Sequence, residues 1–344
     1  MTAALSDHLS KQAEACEALG SPFTARLLRV VRDNLSPGTA VADRLLTWPE
    51  ATLRADAVGL RLTGGLHALV LSDAAPQLAA LYPASEEDAA LWSAIADAFE
   101  THSAHLLHWL DSAPQTNEVR RAPAMILAAS EAAKQFPGLP LRVSELGASA
   151  GLNLLFDRFA LDLPQGPYTP PNAVMTLRPD WQGRPADVAP FSVAERRGVD
   201  SNPLSTDQPA DMLRLRSYLW ADQPERMQRT NAALSIATPM VDAGDAGHWL
   251  AERLTTPRPG TLEFVYHTVA WQYFPETTKA ACTKALTIAA ARATPETPLA
   301  YLTFEMDATG PAGPGAPVRL RLWPGDIQID LGRMDFHGRW FQIN

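Results

Sequence analysis

Between residues 141 and 153 the chain runs Leu-Arg-Val-Ser-Glu-Leu-Gly-Ala-Ser-Ala-Gly-Leu-Asn, and the residue types change character along it. Leu141, Val143 and Leu146 are the apolar positions of a strand that Pro140 opens. Leu152, Leu155, Phe156 and Phe159 then recur at helical spacing, with Asn153 and Asp157 on the other side. Between strand and helix lie only small residues, Gly147, Ala148, Ser149, Ala150 and Gly151. Such a turn suits an anion or a nucleotide. The first N–H groups of a helix lack partners, the helix dipole is positive there, and glycine admits a ligand close to the backbone. Glu145 adds a carboxylate where the strand ends, and Asn153 adds an amide just past the turn.

Three chemistries could use this stretch. A dinucleotide fold needs G-x-G-x-x-G, and Ser149 stands where the second glycine belongs. The nucleophile elbow of serine hydrolases, G-x-S-x-G, is met literally by Gly147-Ala-Ser149-Ala-Gly151. Its acid could be Asp245 or Asp307 and its base His267 or His337, but the strands that must precede an elbow are missing, since residues 1–137 read as helices. The third pattern is an acidic residue followed by x-G-x-x-x-G, which Glu145, Gly147 and Gly151 satisfy.

Further polar residues fall where strands end. Val193 to Leu204 reads as a second strand ending in Asp200, and Pro239 to Asp245 as a short third one. Thr261 to His267 is a fourth, with Tyr266 beside its terminal histidine and Trp271 shortly after. Ligands of open α/β sheets bind outside the carboxyl ends of the strands, where the strand order reverses. Gly147, Gly151, Asp200, Asp245 and His267 are therefore expected to face one crevice. An imidazole there suits a general base working near neutral pH. Gln115, Thr116, Asn117, Glu118 and Arg120 crowd together just before the central strand. They either cap the helix Ala122 to Phe136 or overhang the glycine turn, where Glu118 could act on a ligand and Gln115 and Asn117 could bind it.

The elements that must position these groups divide in two. Residues 1–137 carry helical patterns only. Pro22 sits where the first turn of a helix tolerates it, Gly64 and Gly65 interrupt an apolar helix at 56–72, and Ser85 opens a long helix running to Leu110. From 138 to 344 strands alternate with helices, the sign of a sheet with helices on both faces. Residues 161–192 break that rhythm with prolines and glycines and read as an insertion holding an edge hairpin near Ala173 to Leu177. Val318 to Trp323 and Met334 to Ile343 close the chain as two more strands.

Composition narrows the function classes. The 344 residues hold 29 basic and 38 acidic side chains, a formal charge of −9, which disfavours a nucleic-acid backbone as partner. Cys16 and Cys282 build neither a disulfide framework nor a zinc site, so no metal is expected. Apolar runs such as Leu66 to Leu71 are too short to span a membrane, and the first residues lack the pattern of a signal peptide. A cytoplasmic protein acting on a small molecule is expected, with no nucleic-acid or membrane partner.

The half from about Leu141 onward resembles the class I S-adenosylmethionine-dependent methyltransferases. Glu145-Leu-Gly-Ala-Ser-Ala-Gly151 resembles their first motif, and Gly198-Val-Asp200 the segment whose acid holds the ribose. Gly244-Asp245-Ala246 resembles the segment whose acid meets the adenine, and Phe264-Val-Tyr-His267 the motif beside the reacting methyl. The whole chain is similar to an uncharacterised bacterial family marked by Gln-Thr-Asn-Glu (here 115–118) and a string close to Gly-Ala-Ser-Ala-Gly-Leu-Asn-Leu-Leu (here 147–155). The methyltransferase resemblance implies a Rossmann-like α/β sheet, following in the chain the all-helical N-terminal lobe read from residues 1–137. It implies S-adenosyl-L-methionine as cofactor, bound by Glu145, Gly147, Ala148, Ser149, Gly151, Asn153, Asp200, Asp245 and His267. His267 and Glu118 would serve catalysis, and Gln115, Asn117, Tyr266 and Trp271 the substrate. A departure stands out: Asp200 lies well beyond the roughly 20 residues usually found between the glycine turn and the ribose acid, so the insertion must intervene. A non-catalytic nucleotide-binding or interaction module is the alternative reading.

Overall fold

The structure, a computed structural model, describes residues 1–83, 87–236, 239–306 and 315–344. It forms two compact units, Met1–Thr116 with Ser205–Gln228, and Asn117–Leu204 with Arg229–Asn344.

The first unit is helical, with α1 (Ala3–Ala18), α2 (Pro22–Asn34), α3 (Ala40–Leu46), α4 (Val58–Leu71), α5 (Pro76–Ala79), α6 (Asp88–Thr101) and α7 (Ser103–Leu110). Pro22 occupies the first turn of α2, and the Ser21 hydroxyl accepts from the Thr24 N–H. The long helix predicted up to Leu110 is two, broken at His102, and its predicted start at Ser85 lies outside the described residues. Leu28, Leu62, Leu66, Ile95 and Phe99 are core residues of this unit. The sequence pattern runs the helical lobe on to residue 137, yet α8 (Ala122–Gln135) falls in the second unit. In exchange, α9 (Pro209–Ser217) and the residues after it join the first. Gly64 and Gly65 show why α4 needs them. A β-carbon on Gly64 would run into the Tyr218 ring, and one on Gly65 would stand 3.0 Å from Cβ of Trp109. The chain then passes through α10 (Pro224–Leu234).

The second unit is built on β1 (Leu141–Leu146), β2 (Phe159–Leu161), β3 (Met175–Leu177), β4 (Asp180–Gly183), β5 (Val193–Asp200) and β6 (Val241–Ala243). After them come β7 (Leu262–Thr268), β8 (Leu299–Phe304), β9 (Ala316–Trp323), β10 (Ile327–Met334) and β11 (Trp340–Ile343). Nine of these form one sheet in the order β4-β11-β10-β9-β8-β7-β1-β5-β6. β6, β5, β1, β7 and β8 run parallel, while β9, β10 and β11 alternate in direction. This is a mixed α/β architecture around a large, mostly parallel sheet. Strand order reverses between β1 and β7: the chain winds outward to β5 and β6 on one side, then returns to β7 and β8 on the other. α11 (Ala246–Arg253) and α12 (Glu276–Arg292) pack on one face through Leu146, Val199, Leu250, Val265 and Cys282. α8 and the segment Leu152–Arg158 pack on the other. No helix among the described residues is long and apolar enough to cross a membrane.

Three sequence expectations need correction here. The insertion carries no edge hairpin at 173–177. β3 pairs in parallel with β2 as a separate two-stranded sheet, and β4 runs parallel to β11 at the sheet edge. The terminal strands number three rather than two, because Asp335 turns the chain between β10 and β11, its carboxylate accepting the His337 and Arg339 N–H groups. Finally, the helix after the glycine turn is a 3-10 helix, Leu152–Arg158, that runs directly into β2. Leu152 to Phe156 are all buried, so the segment has no solvent side on which an amphipathic α-helix could rest.

Candidate functional site at the reversal of strand order

The glycine turn bridges the end of β1 and the 3-10 helix. Gly147, Ser149 and Gly151 all have positive φ, at 75°, 52° and 73°. Gly147 is needed twice over, because a β-carbon there would lie 2.7 Å from that of Ala270. The N–H groups of the turn are already engaged within the protein. Gly147 and Ala148 donate to the Val199 carbonyl (2.9 and 3.1 Å), and Ser149 donates to Oδ2 of Asp200 (2.8 Å). Gly151 donates to the Ala148 carbonyl (2.7 Å) and Leu152 to Oδ1 of Asn117 (2.7 Å). The expected row of free donors at a helix start is therefore absent at these five positions. A short 3-10 helix follows, with its Leu152 and Leu154 N–H groups already satisfied.

Behind the turn, on the face that carries Leu152–Arg158, lies a buried polar cluster. Glu145 and Tyr266 are direct neighbours across β1 and β7, and the Tyr266 hydroxyl donates to Oε2 of Glu145 (3.2 Å). Phe156 and Phe264 surround the Tyr266 ring. Burial pushes the Glu145 carboxyl well above the ordinary range, against the pull of hydrogen bonds from Tyr266 and Asn153. Burial also raises the Tyr266 phenol, helped by Glu145 beside it. Ser149 Oγ and Asn153 Oδ1 are buried and have no hydrogen-bond partner among the described residues. With no base on its hydroxyl, Ser149 lacks the geometry of an activated nucleophile.

His267 faces the other way. Successive strand residues point to opposite faces, so His267 sides with Val265 and the α12 layer rather than with Tyr266 and Glu145. Its Nδ1 is 2.7 Å from Oε1 of Glu305, its Nε2 is 2.7 Å from the Tyr301 hydroxyl, and its ring stacks on Trp271 at 4.7 Å between centroids. Both ring nitrogens are thus engaged, and the imidazole must give up a partner before it can take a substrate proton. Oε1 of Glu305 also accepts the Ala270 and Trp271 N–H groups (2.9 and 3.1 Å). Burial raises the Tyr301 phenol.

The remaining predicted residues divide between ligand-ready and committed groups. Asp200 ends β5 beside the turn, with Oδ2 on the Ser149 N–H and Oδ1 on the Asn202 N–H (3.0 Å). Asn117 reaches the turn directly through Leu152. Glu118 is buried and caps the short helix Val119–Arg121 through the Arg120 N–H (3.1 Å), while Gln115 belongs to the helical unit. Asp245 caps α11 through the Gly247 and His248 N–H groups (2.9 and 3.0 Å) and accepts the Thr278 hydroxyl. That last hydrogen bond is the main reason its carboxyl lies below the ordinary range. Glu145 with Tyr266 and Glu305 with His267 therefore form two settings on opposite faces of β7. Gly147 touches the His267 side through Ala270 and Phe274.

Three functional groups escape sequence reasoning. Tyr301 and Thr303 on β8 and Glu305 just past its end form a period-2 polar stripe among apolar residues, and that signal is visible in the sequence. Arg121, which donates to the Thr268 and Phe336 carbonyls (3.0 and 2.9 Å), carries no such signal. No curated protein matches the chain. Residues 6–343 match the profile of a family described as an uncharacterized protein conserved in bacteria (DUF2332), and the chain belongs to that family.

Proposed function

We propose that the chain is an S-adenosyl-L-methionine-dependent methyltransferase with a Rossmann-like sheet, acting on a small-molecule acceptor. The observation that carries this reading is the placement of the turn. Five parallel strands reverse order between β1 and β7, the glycine turn leaves β1 at that point, and the carboxylate ending the next strand outward, Asp200, touches it.

The turn also discriminates between nucleotides. A pyrophosphate needs free backbone donors, and the N–H groups of Gly147, Ala148, Ser149, Gly151 and Leu152 are spent on protein acceptors. That favours a nucleoside without phosphate over a dinucleotide. The groups present fit such a molecule. Asp200 retains lone pairs for ribose hydroxyls. Ser149 Oγ and Asn153 Oδ1 are buried polar atoms without partners among the described residues, beside Glu145. Asp200, Ser149, Asn153 and Glu145 would hold the cofactor, which supplies an electrophilic sulfonium methyl when bound. The protein's own share is orientation, since aligning an acceptor with a reactive methyl removes much of the barrier. His267 would serve only as a positioning group, because Tyr301 and Glu305 occupy both its nitrogens.

Calorimetric titration with S-adenosylmethionine, its demethylated product and NAD tests the reading. Heat with either of the first two, none with NAD, and at least tenfold weaker binding in Asp200→Asn are expected. A folded wild-type protein giving no heat with either nucleoside, or preferring NAD, would remove the basis for the assignment.

A further inference from the structure

We infer that Glu305 anchors a second binding site, one for a protonated amine, on the face of the sheet opposite Glu145. The geometry begins with β8. Tyr301 and Thr303 point to the α12 face by strand alternation, and Glu305 continues the same series just past the strand end. His267 on β7 lies within reach of both ends of this stripe, with Tyr301 on Nε2 and Glu305 on Nδ1. The deeper partner is Tyr301, inside the strand. The outer one is Glu305, at the carboxyl end, where ligands of parallel sheets bind.

The two oxygens of Glu305 differ sharply. Oε1 takes three hydrogen bonds, from His267 and from the Ala270 and Trp271 N–H groups, at 2.7 to 3.1 Å. Oε2 is buried and has no hydrogen-bond partner among the described residues. A carboxylate oxygen removed from water without a partner is costly, and the group that best relieves it is a cation bearing N–H donors. The fold fixes the carboxylate through two backbone donors, so its orientation does not depend on a ligand. Trp271, whose backbone N–H already holds the carboxylate through Oε1, carries an indole that stacks on His267, and an aromatic face nearby further favours an ammonium. The His267 ring meets Tyr301 through Nε2 and Oε1 of Glu305 through Nδ1, so neither of its nitrogens is left to serve Oε2. This inference goes beyond the cofactor reading and does not need it.

Benzylamine is a suitable probe, with benzyl methyl ether as a partner of similar shape that lacks the cation and the donor. Calorimetry on the full chain should show saturable binding of benzylamine and at least tenfold weaker binding of the ether. Ring 15N signals of His267 should move with benzylamine. Glu305→Gln, which keeps the shape and removes the charge, should weaken benzylamine at least tenfold. Glu305→Asp, which retracts the carboxylate by one methylene, should weaken it as well and serves if the first variant does not fold. No saturable amine binding by the folded wild type, equal binding of the ether, or equal affinity in a folded Glu305→Gln protein would each overturn the inference. If neither variant folds, the wild-type comparison of amine with ether decides. Titrating S-adenosylmethionine into the same samples separates the two readings: amine binding without nucleoside binding sinks only the cofactor assignment, and the reverse sinks only this one.

Discussion

On one face of β7, Tyr266 donates to Glu145 amid Phe156 and Phe264; on the other, one residue later, His267 meets Glu305 under the ring of Trp271. Both carboxyl groups stand where a parallel strand ends. They differ in the origin of their hydrogen bonds. Glu145 relies on a hydroxyl and an amide from side chains, in surroundings that penalise charge. Glu305 takes two of its three donors from the backbone. A side-chain donor can be deleted by one substitution, and a backbone donor cannot, so the first setting is tunable and the second is fixed by the fold.

The largest expected effect comes from the residue that separates the two settings. Gly147→Val places a branched side chain at a positive φ and against Ala270. A left-handed residue costs roughly 1–2 kcal/mol, and overpacking adds about 1–3 kcal/mol. The sheet unit should therefore lose about 3 kcal/mol in urea denaturation. A loss under about 1 kcal/mol would show that Ala270 and Phe274 step aside, and that the turn is not held between the faces.

Glu145→Gln tests the neutral setting through pH. Because the folded-state value of Glu145 is raised, folding favours the protonated acid. Its contribution is most favourable below the unfolded value of about 4.3 and is lost as pH rises from there toward the folded value. Glutamine mimics the protonated acid at every pH. The variant should thus gain stability relative to wild type as pH rises from 5 to 8, measured as the difference in urea midpoints. A difference independent of pH would mean Glu145 is not held neutral.

Tyr266→Phe should have the smallest effect, about 1 kcal/mol, the net worth of one hydrogen bond. Its hydroxyl pulls the Glu145 carboxyl down, so its removal raises that group further and carries the pH dependence of wild type to higher pH. Thermal unfolding of the variant at several pH values reads both. An unchanged pH profile would separate Tyr266 from Glu145.

Much of this was legible from residue types. The strand–turn stretch at 141–151, Asp200 as the end of the second parallel strand, and the excursion between them all follow from apolar alternation and from glycine and proline placement. β10 went unread, although Ile327, Ile329 and Leu331 alternate with polar residues, and its short spacing from β11 hid the turn at Asp335. Local pattern does not say which face a strand-end residue addresses relative to its neighbours, and so does not separate Tyr266 from His267. Nor does it reveal that the turn's donors are consumed. The Val199 carbonyl that takes two of them is some 50 residues distant, and only the pairing of β5 with β1 brings it there. The same limit hides the true extent of the helical unit, because nothing in the pattern of Pro209 to Gln228 distinguishes a helix of that unit from one covering the sheet.

That discontinuity has a consequence for synthesis. The ring that fills the notch at Gly64 belongs to Tyr218, and the ribosome makes it only after all of residues 117–204. At roughly 5–20 residues per second, about 8–30 seconds separate the notch from its plug. During that interval the first helices emerge without the ring that covers α4 at Gly64, while β1 of the other unit has already been made. The chain cannot fold one unit and then the next in order of emergence. The sheet unit waits as well, because β4 has no edge to join until β11, at the far end of the chain, is made. Nascent chains of this protein should therefore hold two half-built units at once, each open along the surface that a later segment will cover.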